Sequence, residues 1–365
     1  MKEISAGIIG LGRSGRDIHA AAMRQMPDMY RITAVSDPLE GRRTRAAKEL
    51  GCEVYADYRE LLQRNDLDLI VNATPSQMHV PVSLECLNSG FHVLCEKPLA
   101  RRVADVDALF NASQRTGRII AVYQQLRFAP AFERMIKVIS SGVIGRIVQA
   151  NITASSFNRR WDWQTLQEKD GGSLLNKGTH YLDQALQLYG TDMMPTVICR
   201  MDKANSFGDA EDYVKMILCG DGRPLVDVEI SSCCAYPGAT YQVQGTHGGI
   251  KGSDDRLEWK YYKPEEAPEQ HLVVEALSKG DGTPSFCREE LKWYEDCWEP
   301  ADELEANPFH AAAMKYYEML YNALATEKPL VITPQEIRRQ VAVIEQCFMQ
   351  NPHFSKGHIK GDEVE

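Results

Sequence analysis

"GIIGLGRSGRDIHA", residues 7–20, places Gly10, Gly12 and Gly15 in GxGxxG spacing between an apolar, strand-like run and a helix-like one. Alone the pattern is weak. In this context each glycine has a separate duty: a tight turn, close backbone approach to a pyrophosphate, and close helix–strand packing. The free N–H groups and partial positive charge at the start of the following helix suit the phosphates of a dinucleotide. Arg13 and Ser14 of the turn therefore join the three glycines as cofactor contacts. "RITAVSDP" then ends a second apolar run on Asp37, about 20 residues further on, where a carboxylate can accept both ribose hydroxyls of an adenosine and repels a 2′-phosphate. This favours NAD over NADP, with Arg42 and Arg43 keeping the phosphorylated form as the lesser alternative.

Outward from that turn, the first third alternates short apolar runs with helical patterns. "AGIIGLG", "RITAVSD", "LDLIVNAT", "HVLCEKP" and "IIAVYQQ" predict five strands separated by helices, which demands parallel pairing and a doubly wound α/β sheet. The pattern changes near residue 124. A helix is expected at 129–141, then "GRIVQANITASSF", a helix at 171–189, and a series of alternating runs from "PTVICRMD" to "RLEWKYY" without helices between them. Those runs predict a large, mostly antiparallel open sheet in an α+β unit. Two helices follow, the second opening on Thr333, Pro334 and Glu336 in N-cap, N1 and N3 positions. The division expected is a Rossmann unit at 1–124, a substrate and oligomerisation unit at 125–350, and a loosely held polar tail at 351–365.

The composition bounds the function. A formal charge of −10 argues against a nucleic-acid partner without forbidding a local basic pocket. No apolar run reaches the ~20 residues that span a bilayer, and the first residues lack a signal-peptide layout, so no membrane partner is expected. Ten cysteines without CxxC spacing fit a reduced, cytoplasmic protein and no metal site.

Two further stretches carry chemistry. "NATPSQMH" sets Thr74 and Pro75 in a turn where the chain passes a cofactor, with His79 as loop cap or cofactor neighbour. "HVLCEKPLA" leaves Glu96, Lys97 and Pro98 at a strand exit, where proline stops further pairing and the lysine points into the cleft. A cation there stabilises an alkoxide forming during alcohol oxidation. "GGSLLNKGTHYLDQAL", 171–186, is a poor helix whose Asn176, His180 and Asp183 share one face at i, i+4 and i+7. Its glycines read as room for a substrate. "SSFNRRWDWQTLQEKD", 155–170, reads as a substrate loop. Arg160 can bond hydroxyls there, and Trp161 and Trp163 can stack on sugar or flat aglycone faces or anchor the loop. Tyr123, Gln125 and Arg127 follow a cleft-edge strand and serve contact or packing equally well.

Taken together, the glycine fingerprint, the EKP turn at 96–98, "VYQQLRF" at 122–128, the GG-led helix and "LATEKPLVITPQEIRR" resemble the Gfo/Idh/MocA family of nicotinamide-dependent oxidoreductases. The resemblance implies a Rossmann domain followed by an α/β domain whose open sheet mediates a homo-oligomer. It implies that Lys97 and His180 are catalytic and that Asp183 contacts substrate. The family pattern carries aspartate where this chain has Asn176, which cannot hold a proton and is left to orient an imidazole or a sugar hydroxyl by hydrogen bonding. The resemblance further implies NAD-dependent oxidation of a secondary hydroxyl of a sugar, glycoside or cyclitol. "WQTL" and the 171–186 helix are similar to bacterial glycoside 3-dehydrogenases acting on a glucosyl 3-hydroxyl, including those that begin C-glucoside (puerarin) deglycosylation. Inositol dehydrogenase, NAD-dependent glycosidase and non-catalytic NAD-binding regulator are the alternatives.

Overall fold

β1 (Ile4–Ile9) leads through the glycine turn into a helix that starts as a wide π turn (Ser14–Ala20) and finishes as α1 (Ala21–Arg24). The computed structural model describes residues 3–355. Then come β2 (Tyr30–Ser36), α2 (Glu40–Leu50), β3 (Glu53–Tyr55), α3 (Tyr58–Leu61), β4 (Leu69–Asn72), α4 (His79–Asn88), β5 (His92–Cys95), α5 (Val103–Thr116) and β6 (Ile120–Val122). The six strands pair in the order β3-β2-β1-β4-β5-β6, all parallel. Five of them match the predicted runs. β3 is the sixth, and its three residues are too few and too exposed to leave a period. The strand order reverses between β1 and β4, so a crevice opens at their carboxyl ends beside the glycine turn.

α6 (Pro130–Ser140) and β7 (Ile147–Ser155) begin the second layer. A π turn (Leu174–Gly178) continues as α7 (Thr179–Tyr189). Strands β8 (Thr196–Asp202), β9 (Tyr213–Cys219), β10 (Leu225–Ser231), β11 (Tyr241–Gly245), β12 (Gly248–Ser253), β13 (Arg256–Tyr262) and β14 (Trp293–Trp298) follow. The eight-stranded sheet runs β14-β13-β12-β11-β7-β10-β9-β8. It is antiparallel except for the β7–β10 pair. Alternation is strict on β8 and β9, where every second residue is buried, so one face packs on helices and the other is open. β14 was not expected from the sequence. It is an edge strand that buries almost nothing, so its residues show no apolar alternation.

The last helices fasten the two layers. α8 (Pro308–Ala325) belongs by sequence to the second unit but packs on the first, burying Tyr316, Tyr317 and Leu320 with the strands of the parallel sheet. Each such side chain contributes roughly 1.5–3 kcal/mol. The phenols are satisfied: Tyr316 donates to the Val122 carbonyl at 2.7 Å, and Tyr317 meets His19 Nδ1 at 2.7 Å. α9 (Pro334–Gln350) carries the expected capping box, with Thr333 Oγ1 accepting from Glu336 N and Glu336 accepting from Thr333 N. The tail expected to be loose from Asn351 is packed at its start. The Asn351 amide bonds the carbonyls of Cys199 and Cys347, and Phe354 is buried. Residues 356–365 of that tail lie outside the described residues.

Candidate active site

Gly10 has φ +93°, and a Cβ there would overlap the Ala73 carbonyl; one at Gly15 would overlap the Gly10 carbonyl. These two glycines are required by packing. Gly12 is not: a Cβ there would meet only an Arg42 nitrogen, at 3.9 Å. Its bareness keeps open a surface beside the uncapped start of the helix, the cradle a pyrophosphate needs. Asp37 is buried and accepts the N–H groups of Leu11 (2.8 Å) and Leu39 (2.9 Å) and a bond from Arg42 (3.2 Å). A carboxylate has about four acceptor positions. The expectation that Asp37 takes both ribose hydroxyls is therefore narrowed to one, because the carboxylate is already holding the turn. The same bond ties Arg42 down. Gly12→Ala is expected to melt like the parent and bind NADH about tenfold or more weakly. Gly15→Ala is expected to lose roughly 1–3 kcal/mol of stability through overpacking. Thermal melts with calorimetric NADH titrations check both, and equal damage from the two changes would contradict this division of labour.

At the end of β4, Thr74 Oγ1 donates to Asn72 Oδ1 (2.6 Å), and Pro75 follows at the strand exit. His79 is a loop tie. Its two ring nitrogens face the carbonyl oxygens of Pro98 (2.7 Å) and Thr74 (2.9 Å), binding the 74–75 turn to the EKP turn. Burial holds it below the usual histidine range.

A cleft of ≈ 570 Å³ lies between the glycine turn and α7, a size suited to a small ligand. Arg13, Ser14, Glu96, Lys97, Asn176 and His180 all line it, so residues from widely separated motifs meet. Tyr123, Gln125 and Arg160 line it as well. A larger hollow of ≈ 770 Å³ on the open sheet face, beside Trp259 and Trp293, contains neither Lys97 nor His180; chemistry selects the smaller one.

Lys97 Nζ donates to the backbone O of Asn176 (3.1 Å) and to its Oδ1 (3.2 Å). An ammonium only donates, so the amide oxygen must face it. Asn176 thus positions the lysine, where an imidazole or sugar hydroxyl was expected from the sequence. Burial pushes the Lys97 ammonium below the usual range; Glu96 opposes this, and Arg13 and Arg160 add to it. His180 is buried, and its Nδ1 has no hydrogen-bond partner among the described residues. Burial, with Lys97 beside it, pushes the imidazole down to about 3 against the pull of Glu96, so it is neutral at pH 7. Burial works against ionising Glu96, yet its bond from His19 Nε2 (3.2 Å) and the nearby Lys97 and His79 hold it at about 2.

Several expectations fail on tertiary grounds. Asp183 does not line the cleft: Arg127 grips it with two bonds (2.8 and 2.5 Å), and Glu336 Oε1 takes a third Arg127 nitrogen at 2.7 Å. Asp183, expected to contact substrate, and Arg127, for which contact and packing stood open, are spent on this buried brace between α7 and α9. Trp161 is four-fifths exposed, and neither it nor Trp163 lines the cleft. The glycines of the 171–186 stretch serve packing. A Cβ at Gly172 would overlap the Glu211 carboxylate, and one at Gly178 would press on Leu174. Glu211, whose carboxyl burial pushes up to about 7, accepts the Leu174 N–H at the helix start. Sequence reasoning missed Lys177 and His19. Both lay inside quoted motifs, but nothing local distinguishes a cleft lysine from a solvated one.

A glycine-turn parallel sheet facing a lysine and a neutral histidine across a cleft defines a nicotinamide-dependent oxidoreductase. Residues 4–124 match the model of an oxidoreductase family with an NAD-binding Rossmann fold, and residues 132–251 match the GFO/IDH/MocA C-terminal domain. The chain belongs to the Gfo/Idh/MocA family and is an NAD-binding oxidoreductase. It is 30% identical over 261 residues to a 2,7-anhydro-N-acetylneuraminate hydratase of Mediterraneibacter gnavus, covering 69% of this chain and 67% of that one. It is also 30% identical over 254 residues to inositol 2-dehydrogenase 2 of Saccharopolyspora erythraea (68% and 72%). Among solved structures, the WlbA dehydrogenase of Bordetella pertussis, in complex with NADH and UDP-GlcNAcA, superposes over 96% of both chains with a TM-score of 0.76 at 20% identity, a likeness of fold. No helix among the described residues is long and apolar enough to cross a membrane.

Proposed function

We propose that the protein oxidises a secondary hydroxyl of a sugar or glycoside, namely the 3-hydroxyl of a glucosyl group, with NAD as acceptor. The observation that carries the reading is the convergence of Lys97, Asn176 and His180 in one cleft beside the glycine turn. NAD, when bound, accepts hydride at C4 of its nicotinamide. His180, neutral and lining the cleft, takes the hydroxyl proton. Lys97, held by Asn176, meets the negative charge that develops on the carbinol oxygen. A 3-keto product acidifies the neighbouring C–H, which suits later release of an aglycone by elimination. The open face of the eight-stranded sheet, with its large hollow and exposed Ile198, is proposed as the contact of a homo-oligomer. The ten cysteines, all free, fit a cytoplasmic setting.

The named inositol dehydrogenase relative favours a second reading, oxidation of a cyclitol. Purified protein with NAD and a panel of glucosides and inositols tests both. NADH formed with a 3-keto glucoside supports the first, and NADH from inositols alone supports the second. No NADH from any member removes both.

A further inference from the structure

The cleft is cationic in a chain that is acidic overall. Arg13, Lys97, Arg160 and Lys177 line it, and Glu96 is the carboxylate among its lining residues. Arg160 is neutralised by Asp162 beneath it, at 2.6 and 2.8 Å. Glu96 is adjacent to Lys97 and offsets it. Neither Arg13 nor Lys177 has a carboxylate partner among the described residues: Lys177 makes one long bond, 3.5 Å, to Ser156 Oγ. Arg160 also lies close enough to depress the proton affinity of both lysines, so the cations repel one another. Arg13 and Lys177 are exposed at the cleft, so water screens them and both stay free to meet a ligand's charge. Three residues of the cleft lining also carry unmatched polar atoms: the Tyr123 hydroxyl, Gln125 Oε1 and His180 Nδ1 have no partner among the described residues, and all three residues are over nine-tenths buried.

Bound NAD would bring two phosphate charges and one nicotinamide cation, a net of one negative charge. Arg13, on the glycine turn, is placed for the phosphates. Lys177 stands on the other wall, one residue after Asn176 and beside Ser156, and one positive charge is left over. The Arg160 fork is occupied by Asp162 and Arg13 is placed for the dinucleotide, so the described cleft residues leave no guanidinium clamp for a substrate phosphate; a single ammonium with a hydroxyl beside it can meet a carboxylate. We infer that the substrate is a sugar bearing a carboxylate, whose charge is met by Lys177 at the cleft wall. The inference rests on the cleft being the substrate site proposed above, and it refines that proposal from a neutral glucoside to an acidic one.

The test compares methyl glucoside, methyl glucuronide and glucose 6-phosphate. Their kcat/KM values are measured with NAD, and their dissociation constants are measured by calorimetry on the NADH-bound protein. The glucuronide is expected to be favoured about tenfold or more in both, roughly 1.4 kcal/mol. That advantage should shrink as sodium chloride is added. In Lys177→Met and Lys177→Gln the ratio of glucuronide to glucoside should fall towards one while NADH affinity holds. Equal or tighter binding of the neutral sugar overturns the inference, as does preference for the phosphate, a ratio unchanged by either substitution, or binding of neither sugar. Loss of NADH affinity in the Lys177 variants would assign the lysine to the dinucleotide and overturn it too. Tight, Lys177-dependent glucuronide binding without NADH formation from any sugar would sink the dehydrogenation reading alone.

Discussion

His180→Ala is expected to lower kcat/KM by about 10²–10⁴-fold, the range for removing a positioned general base, while NADH binding is retained. The imidazole makes no hydrogen bond through Nδ1 that the fold would lose. Its second consequence concerns acid. The folded value of about 3 lies below the ordinary 6.5, so the folded protein resists a proton that the unfolded chain accepts. The sign follows: this contribution to stability is fully present above about pH 6.5 and is lost as pH falls toward 3, by at most about 1.4 kcal/mol per pH unit. The alanine variant should therefore lose less stability than the parent between neutral pH and about pH 5. Melting curves at the two pH values, beside steady-state rates, check both consequences. Turnover within about threefold of the parent would remove His180 from the chemistry and leave the fold untouched.

Lys97→Met is expected to cost about 10²–10³-fold in kcat, comparable to deleting one charged or hydrogen-bonding group from an oxyanion site. The geometry explains why the loss should fall on kcat. The ammonium is fixed through the backbone oxygen and Oδ1 of Asn176, so it is aimed before substrate arrives. Asn176→Asp separates position from charge. A carboxylate there would keep the bond to Lys97 and raise the proton affinity of both Lys97 and His180, which should move the acidic limb of the rate profile upward. Rates across pH for the two variants decide the matter. A Lys97→Met enzyme impaired only in KM would show that the lysine holds substrate without stabilising the forming alkoxide.

The parts legible in the sequence are those whose cause is local. The turn after β1 had to be glycine at positions 10 and 15 because carbonyl groups of the same segment and of the next parallel strand crowd them. The Thr333–Glu336 box writes a helix start within four residues. Strands that bury one face showed their period, whereas β3 and β14, which bury little, showed none. The 171–186 helix is abnormal in sequence, but its glycines do not make room for substrate: Gly171 and Gly172 meet Gln164 and Glu211, which lie outside the helix and cannot be read from it.

Sequence by itself determined the parallel nucleotide-binding layer, the mostly antiparallel second layer and the cofactor class, and it singled out Lys97, Asn176 and His180, which line one cleft. Only tertiary structure decided which polar groups were already spent. Asp183 and Arg127 are 56 positions apart in the chain and consume each other, and Glu336 reaches the same guanidinium from 209 positions away. It also set the charge of the cleft, where Lys177 has no carboxylate partner among the described residues while Arg160 has Asp162. The physical reason is common to both: a hydrogen-bonding or charged group is available to a ligand only if no distant segment has claimed it, and that depends on how the whole chain packs.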